Sequence, residues 1–121
     1  MREAIKDPGR LEHILMAIDN VFEFLQGKNY EDLVNDKLLF FGVVKNIEII
    51  GEAANHITKE LQDNHPEIDW PSVVGMRNVL VHDYYHINPR IAWLTAQKNL
   101  PQLRKQIEEI LLDITQSHTE Q

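Results

Sequence analysis

Residues 36–61 read DKLLFFGVVKNIEIIGEAANHITKEL. Val43, Ile47, Ile50, Ala54, Ile57 and Leu61 recur at three- and four-residue intervals, so a helix would carry them along one side. At the standard rise this helix, from Asp36 to about Leu61, is roughly 40 Å long. Opposite that stripe fall Phe41, Lys45, Glu48, Glu52, Asn55 and Lys59, with Leu38 and Ile49 nearby. Phe41, Leu38 and Ile49 suit a fully solvated face poorly, which marks this side as a surface for a partner.

Working outward, the flanking segments repeat the helical period. Asp7-Pro8 has the form of an N-cap and first helical position. Leu11, Ile14, Leu15, Ile18, Val21, Phe22 and Leu25 then make a single apolar stripe that Gly27 ends. Residues 28–36 are expected to be a loop with one turn at Tyr30–Val34. Beyond the long helix, NHPEIDWP is a connection, and Asp69 caps a short third helix that passes through Arg77 and stops near Tyr84. Asn88-Pro89 opens a fourth helix, on which Trp93, Ala96, Leu100, Leu103, Ile107, Ile110, Leu111 and Ile114 share one face. Pro101 sits inside that pattern and should kink it around residues 97–100. Trp70 and Trp93 are expected to anchor the core, and residues 116–121 to fray. No stretch alternates as a strand does. The expected fold is all-α, an antiparallel four-helix up-and-down bundle with a short third helix.

At 121 residues the chain has the length of one domain, residues 1–121. The absence of cysteine excludes disulfides and cysteine-based zinc sites. MREAIKDPGR lacks the apolar region of a signal peptide, and no apolar run approaches a membrane span, so a cytoplasmic location without membrane contact is expected. A net charge of -7 speaks against sequence-independent binding of nucleic acid, which draws its affinity from neutralised phosphates. RNA recognition therefore requires a local basic cluster, an oligomer, or weak binding followed by cleavage. Lys98, Arg104 and Lys105 come nearest to such a cluster, and Glu108 and Glu109 dilute it.

The chemistry concentrates in MRNVLVHDYY, residues 76–85. Arg77 offers a permanent cation and His82 a group that transfers protons near neutral pH. Such a pair suits in-line reaction at a phosphodiester, where a proton leaves a ribose 2'-hydroxyl while charge builds on phosphate oxygens. On a helix the two lie about 140° apart around the axis and ~7.5 Å along it, so one copy makes a spread-out site. A symmetric homodimer opposing two such helices would gather two arginines and two histidines in one cleft. The spacing equally fits a structural role, with Arg77 paired to an acidic neighbour, His82 at a helix end and the tyrosines packed. Glu52 with Lys45 and Glu48 could line the cleft or form a solvated, mutually paired face. His82 and His86 have a metal-compatible spacing, but the helix is expected to end before His86 and no third ligand is evident, so no metal is assigned. His13, His56, His65 and His118 are read as incidental.

Ile50-Gly51-Glu52-Ala53, the Trp70-Pro71 approach, Gly75-Met76-Arg77-Asn78-Val79-Leu80-Val81-His82-Asp83-Tyr84 and the later Trp93 resemble the HepT-like branch of the HEPN superfamily across nearly the whole chain. The signature of that branch is arginine, four residues, histidine, one residue, tyrosine, and Arg77, His82 and Tyr84 match it without gaps. Asn78 fills the polar place after the arginine. The resemblance implies a metal-independent endoribonuclease, without cofactor, that is the toxin of a toxin–antitoxin pair. It implies catalytic roles for Arg77 and His82, supporting roles for Asn78 and Glu52, and RNA as substrate. It further implies a cognate minimal nucleotidyltransferase as antitoxin, which transfers AMP to Tyr84; Tyr85 is adjacent, but the spacing selects Tyr84. The other reading is a non-catalytic, nucleotide- or substrate-binding subunit of a nucleotidyltransferase complex. The acidic charge favours that alternative, and the complete motif favours the nuclease.

Overall fold

The computed structural model describes residues 2–79 and 88–120, and of residues 2–5, 79 and 117–120 the backbone alone. Every regular element among the described residues is helical: α1 Arg2–Leu25, α2 Tyr30–Asn35, α3 Lys37–Asn55, α4 Lys59–Asn64, α5 Trp70–Val79, α6 Pro89–Leu94, a π-turn at Thr95–Asn99 and α7 Leu100–Glu120. The centre is α3, which packs along α1 and along α5, while α7 lies against α1. The predicted stripes become the core: Leu11, Ile14, Ile18 and Val21 from α1 and Val43, Ile47, Ile50 and Ala54 from α3 are buried, as are Leu100, Leu103, Ile107 and Ile110 from α7. Trp70 is buried and donates its indole N–H to the His65 carbonyl at 3.0 Å, whereas Trp93 is half-buried with its edge toward Tyr30.

Local capping explains most of the boundaries. Asn29 and Asp32 form a reciprocal capping box, so the expected turn after Gly27 is a short helix, α2. Asp36 accepts from the Leu39 N–H and starts α3. Asn88 caps α6 with Pro89 directly behind it, as its sequence predicts. Pro101 cannot donate a backbone hydrogen bond, and the expected kink is the π-turn just before it, closed by the Leu100 N–H on the Thr95 carbonyl. The extra residue in this turn lets Ala96 and Leu100 both remain in the core.

Two boundaries differ from expectation, for one shared reason. Asp7 does not cap α1, which begins at Arg2 and contains Pro8. Its buried carboxylate instead accepts from the Thr58 N–H at 3.0 Å and the Thr58 hydroxyl at 2.6 Å. Thr58 is thereby held extended and caps α4, so the helix expected to run unbroken to Leu61 ends at Asn55. Gln62 donates its amide to the Ala54 and Ile57 carbonyls at that break, the first of which also accepts from the Ile57 N–H. Ile57 and Leu61 still face the core as the periodicity requires.

Candidate functional site

The site begins with a missing side chain. A Cβ at Gly51 would overlap the backbone nitrogen of Arg77 and meet the Val74 carbonyl oxygen at 3.0 Å. Glycine therefore lets α5 approach α3 more closely than any other residue could. The contact falls at Arg77 itself, so the packing of the two helices sets where the arginine sits. The adjacent residue, Glu52, then lies within reach: its Oε2 accepts from the Arg77 guanidinium at 3.1 Å. Its other oxygen, Oε1, lies 3.1 Å from Nε2 of His56 one turn on.

Arg77 holds Glu52 below its usual carboxylate range through this hydrogen bond, with the His56 hydrogen bond as the second cause. The carboxylate is thus charged and occupied at both oxygens. Arg77 keeps spare donors. Its side chain is 31% exposed, and its buried Nε has no hydrogen-bond partner among the described residues. The second terminal nitrogen, neither buried nor hydrogen-bonded among the described residues, can meet an anionic oxygen without breaking the Glu52 contact. Asn78 is exposed at the next position of α5. Lys45 and Glu48 pair with each other at 3.5 Å, leaving Glu52 as the acid of that face turned to the arginine. His82 and Tyr84, together with Asp83, Tyr85 and His86, lie outside the described residues. Among the described residues no group of three histidines or carboxylates could hold a metal ion.

His56 is the site neighbour that sequence reasoning passed over. Its signal was available, because Glu52 and His56 stand four residues apart on one helix. Arg10 and His13 were also passed over. They share a groove with Ile49, Glu52, Ala53 and His56 between α1 and α3, and nothing local in the sequence links them.

Helices packed on a central α3, with an arginine seated on a Gly-Glu step, define a small all-α protein with an anion-facing motif. Residues 14–110 match the family described as Ribonuclease HepT-like, and the chain belongs to that family. A protein of Caldanaerobacter subterraneus subsp. tengcongensis, named as a candidate RNase, is 42% identical over 101 residues, 84% of this chain and 90% of that protein. A protein of Thermococcus cleftensis named "Probable ribonuclease HepT" is 36% identical over 110 residues, 91% of this chain and 98% of that protein. A candidate RNase of Methanocaldococcus jannaschii is 34% identical over 104 residues, 86% of each chain. No solved structure matches the chain. Among the described residues no helix is long and apolar enough to cross a membrane.

Proposed function

We propose that this chain is a metal-independent endoribonuclease, the toxin of a toxin–antitoxin pair, working as a homodimer with Arg77 and His82 at the dimer cleft. The observation that carries the reading is the seat of Arg77: backbone set against Gly51, one terminal nitrogen on Glu52, and the other left for an acceptor. The relatives named as ribonucleases support the choice of RNA.

In this mechanism His82 takes the proton of a ribose 2'-hydroxyl, and the 2'-oxygen forms a bond to the adjacent phosphorus. The bond from phosphorus to the 5'-oxygen breaks, and that oxygen leaves with a proton from an imidazolium. The products are a 2',3'-cyclic phosphate and a 5'-hydroxyl. Arg77 stabilises the charge that grows on the phosphate oxygens, for which its planar fork is suited. Glu52 holds the guanidinium in place, and Asn78 holds the imidazole or the substrate. A cognate minimal nucleotidyltransferase silences the site by moving AMP from ATP to the Tyr84 hydroxyl, with pyrophosphate leaving and the phenolic proton lost, which adds bulk and a negative phosphate that pairs with Arg77.

Purified protein is incubated with RNA in EDTA. Arg77→Ala and His82→Ala each lower cleavage at least ~10²-fold, with unchanged helical circular dichroism. Cleavage that survives both substitutions overturns the mechanism. The existing Glu52–Arg77 pair and the net charge of -7 favour a second reading, a non-catalytic nucleotide- or substrate-binding subunit. That reading predicts no cleavage by the wild type but full binding to the nucleotidyltransferase.

A further inference from the structure

We propose that the groove between α1 and α3 is a phosphate-binding subsite for the RNA strand, formed by Arg10 with His13 beside the Glu52–His56 pair. It rests on the ribonuclease reading for the identity of the strand, and on its own residues for the site. A chain of net charge -7 repels RNA as a whole, so strand binding draws on the cations least tied to the protein's own carboxylates. Among the arginines whose side chains are described, Arg104 is tied to Asp19 and Glu108, Arg90 lies over the ring of Tyr30, and Arg77 is bonded to Glu52. Arg10 pairs with no carboxylate or ring among the described residues, and its Nε is buried without a hydrogen-bond partner.

The terminal guanidinium nitrogens of Arg10, neither buried nor hydrogen-bonded among the described residues, are the donors left for an incoming anion. The groove is where one can arrive. Arg10 and His13 come from one turn of α1, and Ile49, Glu52 and His56 from α3. The acid in the groove does not oppose an incoming anion strongly, because Arg77 and His56 occupy both of its oxygens. Glu52 is also the link between the two places: it lines the groove and holds Arg77. A strand with one phosphate at Arg77 therefore passes beside the groove that Arg10 lines. Arginine's fork takes two phosphate oxygens at once, and a ring N–H of His13 can take another, while the Nε2–H of His56 stays on Glu52.

The test uses the full chain and a short fluorescein-labelled single-stranded RNA, with binding followed in a His82→Ala background and cleavage in the otherwise native protein. Arg10→Gln should weaken binding about fivefold or more and flatten the slope of log affinity against log salt by roughly 0.7, the share of one phosphate contact on a single strand. In cleavage it should raise KM by a similar factor and leave kcat within about twofold, the signature of binding felt equally in ground and transition states. Arg104→Gln, an arginine already neutralised by two carboxylates, serves as the control and should change neither quantity. An affinity and salt slope unmoved by Arg10→Gln overturn the subsite, as does an equal loss with Arg104→Gln. Should the wild type bind RNA through Arg10 yet never cleave it, the subsite stands and the nuclease reading falls.

Discussion

Glu52 holds two hydrogen bonds with one carboxylate, and each partner lowers the cost of its negative charge. Arg77 is the larger cause of the downward shift from the usual 4.5, and His56 the second. Because the folded value is depressed, the pairing contributes stability above the unfolded carboxylate value. That contribution is lost as the pH falls through the lowered folded value. The Glu52–Arg77 contact should thus survive mild acid and break only below 4.5. Carboxyl-detected NMR titration should place the Glu52 transition below that point, and Arg77→Ala should move it upward by more than His56→Ala does. A wild-type Glu52 that titrates at or above its usual value would show that the carboxylate does not hold the arginine in solution. Half of this arrangement was legible in the chain. Glu52 and His56 are a turn apart, but Glu52 and Arg77 are 25 residues apart, and only the meeting of two helices joins them.

At the scale of elements, the approach of α5 to α3 depends on one glycine and can be tested directly. Gly51→Ala places a methyl where the Arg77 backbone nitrogen lies, so α5 must retreat. The expected loss is about 1–3 kcal/mol, as for other overpacked interiors, accompanied by a fall in RNA cleavage as Arg77 leaves its seat. Gly9 offers the contrast, being exposed on α1 with no atom within 4 Å of an added Cβ. Gly9→Ala should stabilise by roughly 0.5–1 kcal/mol through the better helix propensity of alanine. Thermal or denaturant unfolding of the two variants checks both signs, and a Gly51→Ala protein as stable as the wild type would refute the close contact. The same scale shows where sequence patterns stop informing. The Asn88-Pro89 start and the Pro101 distortion are consequences of residues beside them. The break between α3 and α4 is not, because it is set by Asp7, 51 residues from Thr58.

For the whole molecule, the open question is what a cleft built of two copies demands. Leu38 is 85% exposed near the start of α3, and Phe41 follows it by one turn at 44%. Both belong to the side of that helix where its amino-acid pattern predicts a partner. If the partner is a second copy, sedimentation should find dimers of the wild type, and Leu38→Glu should shift them toward monomer while lowering cleavage in parallel. Wild-type protein that remains monomeric at every concentration and still cleaves RNA would remove the dimer cleft from the mechanism. Helix α1 is tied to its neighbours by polar contacts that no periodicity announces. Asn20 donates to the buried Asn46 of α3 at 3.1 Å, and Asp19 binds Arg104 of α7.

Period, caps and proline placement act within a few residues, so the order of helices, their inward faces and the distortion before Pro101 could be read from the chain alone. The Arg-x4-His-x-Tyr signature was likewise visible there, because it is contiguous. Tertiary structure alone decided that Gly51 admits the backbone of Arg77, that Glu52 grips its side chain, that Asp7 ends a helix it does not belong to, and that Arg10 lines a groove with no carboxylate partner among the described residues. Each of these depends on residues distant in sequence and adjacent only once the helices pack, and no local pattern encodes that adjacency.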